Sequence, residues 1–355
     1  MRPNPSTERG GPAVLVPQTS FLGDVVLTTP LVTALRRRLR PRRLSVMVRP
    51  ESRALMDGHP DVDDVLVDDK YGRDRGLAGL VRAAARLRNE RFDLAVCPHR
   101  SLRTALLLAA ARIPRRVGFE SSRGAWLFHE RVPRPLARHD VERNLALLAP
   151  WGGPDDEAPA LHVSVSDEAA RTAAVLCPAA AGPLVGIAPG SVWRTKRWTE
   201  DGFAAVLREL VRDGARCVIL GAPGDAAIAE AIVAAAGVPV TNLAGRTDMA
   251  TLVGVIDRLD LLIGNDSAPM HVAAARDVPV VAVFCATTPA QGYGPWGARS
   301  VVVESDLACR PCGRHGGQSC PRGTEDCRHL VRPDRVMVAV RERLEARSRA
   351  ARPGG

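Results

Sequence analysis

The feature that most constrains the fold is a repeated alternation of short apolar runs with helical stretches. The run AVLVPQ (13–18) is followed by a polar loop and then by PLVTALRRRLR (30–40), which is apolar at helical spacing. The same order returns where FDLAVCPH (92–99) precedes LRTALLLAAAR (102–112). Short apolar runs that alternate with helices predict parallel strands joined by crossover helices, which is a doubly wound α/β sheet.

A break near the middle of the chain separates two such series. Proline and glycine are concentrated in PWGGPDDEAPA (150–160) and CPAAAGP (177–183), and the strand–helix order restarts at LVGIAPG (184–190). A chain of 355 residues also exceeds the usual size of one hydrophobic core, so two domains are expected. Ligands of doubly wound sheets bind beyond the carboxyl ends of the strands, so a cleft between the two domains is expected to hold the site.

We therefore predict two Rossmann-like domains with flanking segments. The predicted boundaries are an unassigned extension at 1–12, a first domain at 13–165, a linker at 166–182, a second domain at 183–332, and a C-terminal helix and tail at 333–355.

Composition narrows the class of protein. Apolar residues make up 46% of the chain and charged residues 25%, as in ordinary globular proteins. Residues 1–12 contain no apolar run that would predict a secretory signal, and no later segment reaches the length of a membrane span. A cytoplasmic location is therefore expected. The net charge of +10 suits an anionic partner, whereas only 4% aromatic residues argue against nucleic acid, which needs stacking platforms.

The loop SFLGDVVLTTP (20–30) places a carboxylate, Asp24, in an otherwise apolar segment. Gly23 is expected to allow a tight or unusual backbone angle, and Asp24 then lies near the start of a helix. Two interpretations remain open from these residues alone. Asp24 is either an idle helix cap or a general base.

The loop APGSVWRTKRW (188–198) offers the hydroxyls of Ser191 and Thr195 and the ammonium of Lys196 after a strand. That set suits an anion such as a phosphate, with Lys196 as a point charge. The alternative is a surface loop with solvated cations and Trp198 packed beneath it.

The stretch GNDSAPMHVAAA (264–275) follows another apolar run. Asp266 or Ser267 is a plausible helix cap, Pro269 suits a first helical turn, and helix amino ends attract anions. Because Asp266 would repel a nearby phosphate, sugar hydroxyls are its more suitable partners. His271, on an apolar helix, is expected to be a core residue.

The cysteines fall into two groups. Cys97, Cys177, Cys217 and Cys285 are scattered in apolar context and are expected to be small core residues. The other four share one late segment: Cys309, Cys312, Cys320 and Cys327. The first pair has a zinc-ligand spacing, so a structural zinc site is chemically feasible, while a disulfide is disfavoured in a reducing compartment. We predict a structural hairpin that leads to the final helix, with no catalytic metal.

Together these three loops and CRPCGRHGGQSCPRGTEDC (309–327) resemble glycosyltransferase family 9, the lipopolysaccharide heptosyltransferases. The resemblance extends from about residue 13 to 340, in the family's order and spacing. It implies the GT-B fold, with acceptor bound by the first domain and nucleotide-sugar donor by the second. It further implies transfer, with inversion, of heptose from ADP-L-glycero-D-manno-heptose to the lipopolysaccharide inner core, with no cofactor required.

The resemblance also implies roles for particular residues. Asp24 matches the general base, Lys196 the lysine on the donor diphosphate, and Asp266 the acid on the heptose hydroxyls. Further donor-side positions are Ser191, Asp225, Ser267 and Ala268, and acceptor-side positions are Gly23, Arg36 and Arg37. Many relatives have glycine where this chain has Ala268 and Pro269, which changes the backbone contacts expected there.

The resemblance implies an anionic glycolipid acceptor and peripheral contact with the inner face of the inner membrane, where arginines near 36–43 could hold phosphates. Two alternatives remain. One is a family member that uses another nucleotide sugar or acceptor. The other, from a different class, is a zinc-bearing basic protein that binds nucleic acid.

Overall fold

The computed structural model describes residues 10–351, so residues 1–9 of the predicted N-terminal extension and residues 352–355 of the tail lie outside the described part. The chain divides into two compact units between Ser164 and Val165. Each unit contains one six-stranded sheet, and every strand pairing in both sheets is parallel. The predicted pair of doubly wound α/β domains is confirmed.

The first unit has the strand order β3-β2-β1-β4-β5-β6. Its strands are β1 (Gly11–Pro17), β2 (Pro41–Val48), β3 (Asp64–Val67), β4 (Leu94–Cys97), β5 (Arg115–Phe119) and β6 (Glu130–Val132). Its helices are α1 (Leu22–Val26), α2 (Thr29–Leu39), α3 (Gly76–Asn89), α4 (Leu102–Ala110) and α5 (Asp140–Leu145).

Strand β1 lies at the centre of this sheet, between β2 and β4. Its residues Val14, Leu15 and Val16 are fully buried, as expected of a parallel strand covered by helices on both faces. Because all six strands run in one direction, the loops that follow them emerge at one edge of the sheet. The loop with Asp24 follows β1 at that edge.

The second unit has the order β12-β11-β10-β7-β8-β9. Its strands are β7 (Leu184–Ala188), β8 (Arg216–Ile219), β9 (Thr241–Asn242), β10 (Leu261–Asn265), β11 (Val280–Phe284) and β12 (Val301–Glu304). Its helices are α6 (Asp167–Leu176), α7 (Glu200–Arg212), α8 (Ala226–Ala236), α9 (Met249–Asp257), α10 (Ala268–Ala275), α11 (Asp326–His329) and α12 (Pro333–Ala351).

Trp198 is the largest fully buried side chain and anchors the core of this second unit. Its ring meets Phe203 of α7 edge to face, with the ring centroids 5.0 Å apart. Its indole N–H donates to the carbonyl of Val331, 2.9 Å away, just before α12. Helix α12 in turn packs on α7, β10, β11 and β12. The C-terminal helix is therefore part of the second unit's core.

The segment 166–182, predicted as a linker, contains helix α6. The Ser166 hydroxyl caps this helix by accepting from the backbone N–H of Ala169, 3.2 Å away. The helix packs on α9, where Gly254 leaves room for the backbone of Ala169. The flanking prolines and glycines suggested a linker, but an alanine face at helical spacing buries Ala169 and Ala173 in the second unit.

All eight cysteines are free thiols. Cys97, Cys177, Cys217 and Cys285 are buried in the cores, as predicted. The late segment forms turns, with no strand between residues 305 and 325, before α11 and α12. The hairpin predicted for this segment is therefore a loop without strand pairing. Contacts with neighbouring loops hold it in place. No helix within residues 10–351 combines the length and the apolar character needed to cross a bilayer.

Candidate active site

Asp24 lies in the short helix α1, immediately beyond the carboxyl end of β1. Its Oδ2 accepts a short hydrogen bond from the Ser20 hydroxyl and a longer one from the Phe21 backbone N–H, at 3.3 Å. Phe21 is the N-cap residue and Asp24 is the third helical residue. The carboxylate therefore does help to begin the helix, but it does so from inside the first turn.

The environment of Asp24 makes its carboxylate a stronger base than usual. Burial, followed by the nearby charge of Asp140, raises the pKa of Asp24 to about 6, against the opposing effects of Ser20, Phe21 and Arg134. Desolvation and a like charge both disfavour the ionised form of a carboxyl group. A carboxylate with this pKa is still mostly ionised near neutral pH and holds a proton more tightly than an exposed aspartate.

Asp140, at the start of α5, belongs to this site although it lies far from Asp24 in the sequence. It is buried and forms a short ion pair with Arg134. The amide of Asn144, one turn later in α5, donates to the Leu27 carbonyl at 3.2 Å and so ties α5 to the segment after α1. Nothing in the local pattern around Asp140 indicated this contact, because it depends on tertiary packing.

Polar residues from three neighbouring strand ends surround the loop before α1. Lys70, beyond β3, donates to the Thr19 carbonyl at 2.6 Å. Arg49, beyond β2, lies over the rings of Phe21 and Tyr71, with its guanidinium carbon 5.9 and 5.8 Å from the ring centroids. His99, beyond β4, shares hydrogen bonds with Thr19 and Thr104.

These side chains give the loop a cationic rim with exposed rings. Phe21 and Tyr71 are exposed by 49% and 70%. Burial, together with the charges of Lys70 and Arg49, lowers the pKa of His99 to about 3, so its imidazole is neutral. No local sequence motif marked Lys70, Arg49 or His99 as site residues. Their position after successive strands was the signal that could have found them.

The structure does not bring Arg36 and Arg37 to Asp24. Both lie near the end of α2, whereas Asp24 precedes the start of that helix. The Arg36 guanidinium is engaged at 2.7 Å with Asp63 and at 2.8 Å with the Asp61 carbonyl, and Arg37 is exposed. A helix that returns alongside a parallel sheet carries its last turn to the opposite edge, which is why this arginine run is remote from the loop.

Gly23 also differs from its expected role. It lies within α1 and is not among the residues with positive φ, so no unusual backbone angle is needed there. Its carbonyl accepts from the Leu27 N–H at 2.9 Å, as in a regular helical turn.

In the second unit, Lys196 and Asp266 form a direct ion pair. Lys196 Nζ lies 2.7 Å from Asp266 Oδ2, and the side chains are exposed by only 14% and 7%. The Thr287 hydroxyl donates to the same carboxylate oxygen at 2.7 Å. Lys196 follows β7, Asp266 follows β10 and Thr287 follows β11, so three adjacent strand ends build one polar cluster.

Asn265 holds the backbone around this pair. Its Oδ1 accepts from the Trp198 N–H at 2.9 Å, and its amide donates to the Pro189 carbonyl at 2.6 Å. Both bonds join the end of β10 to the loop after β7. Because Asn265 is fully buried and both polar ends are paired, it fixes the spacing of the loops that carry Lys196 and Asp266.

Ser191 and Asp225 lie on adjoining loops. A Cβ on Gly190 would lie 2.2 Å from Asp225 Oδ2, so the missing side chain at Gly190 is what admits the carboxylate beside Ser191. Asp225 also accepts from the Ala222 N–H at 3.0 Å. The structure thus brings Asp225 next to the loop of Ser191, at the carboxyl ends of β7 and β8.

Helix α10 begins directly after Asp266. Ser267 occupies the N-cap position but makes no side-chain cap bond, and Ala268 and Pro269 form the first turn. The Ser267 hydroxyl donates instead to the Asn265 carbonyl, at 3.4 Å. Pro269 has no N–H and the Met270 N–H donates to the Ser267 carbonyl at 3.2 Å, so the amides left for an anion at this helix end, where the dipole favours one, are those of Ser267 and Ala268. His271 is buried in this helix, as predicted.

The segment 309–327, called here the Cys-rich loop, covers the loop that carries Lys196. The Thr195 hydroxyl donates to the Gly317 carbonyl and accepts from the Gly317 N–H, at 3.0 and 2.8 Å. The Thr195 N–H donates to the same carbonyl at 3.0 Å. Arg194 forms an ion pair with Glu325, and Arg328 donates to the Arg197 carbonyl.

The thiols of the Cys-rich loop lie close enough to influence one another's titration. Burial and then the neighbouring Cys309 and Cys320 raise the pKa of the Cys312 thiol, whereas backbone N–H groups of residues 322–325 lower that of Cys320. Within residues 10–351, no three His, Cys, Asp or Glu side chains are arranged to hold a metal ion. The absence of a catalytic metal stays a prediction.

The family of the chain follows from a sequence comparison. The model of glycosyltransferase family 9 (heptosyltransferase) matches residues 80–319, which is more than half of the chain. The chain belongs to glycosyltransferase family 9. It is therefore a glycosyltransferase.

Relatives of this family 9 glycosyltransferase span most of its length. Lipopolysaccharide heptosyltransferase 2 of Salmonella typhimurium is 28% identical over 293 residues, covering 78% of this chain and 83% of the relative. A family 9 glycosyl transferase from Veillonella parvula has a TM-score of 0.86 at 24% identity, covering 96% of this chain and 99% of that structure. The structure of E. coli ADP-heptose lps heptosyltransferase II has a TM-score of 0.79 at 23% identity, covering 95% of this chain and 99% of that structure.

At these identities the two solved structures bear on the fold alone. They place this family 9 chain in the GT-B class, with two Rossmann-like domains, as the sequence resemblance implied.

Proposed function

We propose that this family 9 enzyme transfers L-glycero-D-manno-heptose from ADP-heptose to the inner core of lipopolysaccharide, with inversion at the anomeric carbon. The Salmonella relative is a lipopolysaccharide heptosyltransferase, and the E. coli structure is that of an ADP-heptose-dependent enzyme. In this proposal the first domain, residues 13–165, binds the acceptor, and the second, residues 183–332, binds the donor.

Asp24 is the general base in this proposal. An acceptor hydroxyl attacks the anomeric carbon, its proton passes to Asp24, and the bond from that carbon to the diphosphate oxygen breaks as ADP leaves. Both hydrogen bonds to the carboxylate that the described residues make end on Oδ2, which leaves Oδ1 to accept the proton. The pKa of about 6 is well suited to a base working near neutral pH.

The observation that carries the proposal is the Lys196–Asp266 pair at the strand ends of the second unit. The Lys196 ammonium would stabilise the negative charge that develops on the leaving ADP, while Asp266 would accept hydrogen bonds from heptose hydroxyls. The uncapped amides at Ser267 and Ala268 would add donors for the diphosphate. Ser191 would contact the phosphates of the donor. Asp225 would contact its ribose.

A donor that carries its own diphosphate needs charge stabilisation, which fixed cations and helix amides can provide. No cofactor is part of the proposed mechanism. The cysteines of the Cys-rich loop are assigned a structural role in this proposal, in a loop that hydrogen bonds to Thr195 also hold.

For the acceptor side, we propose the cationic rim of Lys70 and Arg49 beside the Asp24 loop as the contact for an anionic glycolipid. These residues replace Arg36 and Arg37, whose helix end lies at the other edge of the sheet. The exposed rings of Phe21 and Tyr71 offer stacking surfaces for sugar rings or lipid. We place the enzyme in the cytoplasm at the inner face of the inner membrane, where such an acceptor is accessible.

A direct test is ADP release from ADP-heptose in the presence of a panel of truncated core acceptors. Release that depends on a heptose-deficient acceptor supports the proposal, and an anomeric configuration opposite to that of the donor supports inversion. Turnover with another nucleotide sugar but not with ADP-heptose would favour the alternative, a family member of different donor specificity. Turnover only with non-core acceptors would contradict the acceptor assignment.

A further inference from the structure

The turn formed by His315, Gly316 and Gly317 lies directly on the loop that carries Lys196. Gly317 exchanges hydrogen bonds with the Thr195 hydroxyl in both directions, at 3.0 and 2.8 Å. The Thr195 carbonyl in turn accepts from the Ala286 N–H at 3.2 Å, and the Ala286 carbonyl accepts from the Cys312 N–H at 2.8 Å. The Cys-rich loop is therefore fastened on both sides of this turn.

Gly316 marks how closely the two loops approach. A Cβ at this residue would lie 2.9 Å from the Thr195 hydroxyl and 3.4 Å from Cγ of Lys196. Its φ of +73° also favours glycine. The backbone at residue 316 therefore lies close to the stem of Lys196, and His315 is the adjoining residue of the same turn.

His315 is half-buried and stands among charged groups from three segments. Burial lowers the pKa of His315, as do Arg314 on its own loop and Lys196 after β7, while Asp266 after β10 opposes them. Its imidazole is therefore neutral near pH 7, with one ring nitrogen as donor and one as acceptor. A neutral donor can stand beside Lys196 without the repulsion that a second cation would add.

We propose that His315 is a donor-site residue whose imidazole N–H donates a hydrogen bond to the diphosphate of the nucleotide sugar, next to Lys196. The inference rests on the proposed function and deepens it, because it makes the Cys-rich loop one wall of the donor site.

Charge balance explains why a further donor is needed there. The ammonium of Lys196 is already paired at 2.7 Å with Asp266, so its charge is partly compensated before any ligand arrives. A diphosphate carries at least two negative charges and several acceptor oxygens, which one compensated cation does not satisfy. The imidazole adds a directional donor from the Cys-rich loop.

The test compares binding of ADP with binding of adenosine, which lacks the diphosphate. Affinities are measured by calorimetry for ADP and by NMR titration for adenosine, on wild type, His315→Ala and His315→Gln. His329→Ala is the matched control, because His329 is an exposed histidine just beyond the same loop. Melting temperatures of all variants report on folding.

We expect His315→Ala to weaken ADP binding about tenfold, the usual effect of losing one hydrogen bond to a charged group. Adenosine binding and the melting temperature should stay close to wild type. His315→Gln should recover part of the loss because it retains an N–H donor, and His329→Ala should change nothing.

Two results would overturn the inference. One is ADP affinity of His315→Ala within about twofold of wild type. The other is an equal loss for ADP and adenosine, which would mean that His315 only holds the loop in place. If wild type itself binds no ADP while binding another nucleotide, the proposed donor is wrong, and that outcome is distinct from a failure of His315 alone.

Discussion

Lys196 and Asp266 form a single buried ion pair, 2.7 Å between Nζ and Oδ2, in which neither charge is free to act alone. The sequence indicated a separate role for each residue, one on the diphosphate and one on the sugar. Their contact means that the loss of either side chain changes the charge of the other's surroundings. Two predictions depend on this coupling.

Lys196→Ala should reduce affinity for both ADP and ADP-heptose and should also lower the melting temperature. It removes the cation nearest the diphosphate and leaves the buried Asp266 carboxylate without its partner, at a cost of about 3 kcal/mol or more in the free energy of unfolding. Thermal unfolding and calorimetry measure the two effects. The double variant Lys196→Met with Asp266→Asn should regain stability and not donor binding. If it regains donor binding, the ammonium has no role at the diphosphate.

Asp266→Ala should weaken binding of ADP-heptose more than binding of ADP. The sugar hydroxyls lose their acceptor, whereas the ammonium of Lys196 is released from its partner and becomes more available to the diphosphate. Calorimetry with the two ligands separates these effects. Equal losses for both ligands would contradict the assignment of Asp266 to the sugar.

Asp24→Asn should slow transfer by about 100-fold or more while leaving donor binding intact, because the amide cannot accept the proton. Initial rates of ADP release at saturating donor measure the effect. Asp57→Asn, at an exposed aspartate of the same domain, is the matched control. If the variant transfers heptose at a rate within a few-fold of wild type, Asp24 is not the general base and only helps to begin α1.

The rate of transfer should fall on the acid side with a midpoint near pH 6, where Asp24 takes up a proton. Asp140 raises the pKa of Asp24 through its charge, so Asp140→Asn should move this midpoint to lower pH. A pH profile of kcat/KM for both proteins tests this. An unchanged midpoint in the variant would show that the acid limb belongs to another group.

The same shift predicts the direction of a stability effect. The pKa of Asp24 is raised above its ordinary value of 3.8, so between about pH 4 and 6 the folded chain binds a proton that the unfolded chain does not. The stabilisation from this proton is present at low pH and is lost as the pH rises through 6. Asp24→Asn should therefore raise the melting temperature more at pH 7.5 than at pH 4.5, with Asp57→Asn again as the reference.

Thr195→Val should destabilise the second unit by about 1–3 kcal/mol, because the partly buried Gly317 N–H loses its partner. The isosteric side chain keeps the packing, so the loss reports on hydrogen bonding. Denaturant unfolding measures it. Thr199→Val, which removes only the α7 cap bond to Gly202, gives a reference for the loss of one hydroxyl bond in the same unit. A change smaller than that reference would mean that the Cys-rich loop is not held by Thr195.

The sequence was most informative where local pattern and tertiary structure agree. The central strands, buried on both faces, are continuous apolar runs, so β1, β7 and β10 could be predicted. The loops after them were found because Asp24, Lys196 and Asp266 are polar residues placed directly beyond those runs. The short edge strand β6, Glu130–Val132, has no such run, and the helix α6 was hidden by the prolines and glycines around it.

The rest of the candidate site depends on contacts between residues far apart in sequence. Asp140 reaches Asp24 only because α5 packs beside the segment after α1. His315 reaches the neighbourhood of Lys196 only because Gly316 and Gly317 lie on Thr195. Arg36 belongs to a conspicuous basic run but does not join the site. Its guanidinium binds Asp61 and Asp63 at the other edge of the sheet.

The hydrogen bond from the Trp198 indole to the Val331 carbonyl makes the last helix a support of the lysine loop. Trp198 lies two residues after Lys196, and the carbonyl that holds its ring lies two residues before α12 begins. A chain shortened before Pro333 would lose the packing that fixes this carbonyl. The damage would therefore extend from the core of the second unit to the lysine loop, although that loop lies well before the cut in the sequence. For protein engineering, the terminus nearer to the donor loop is a poor place for a deletion.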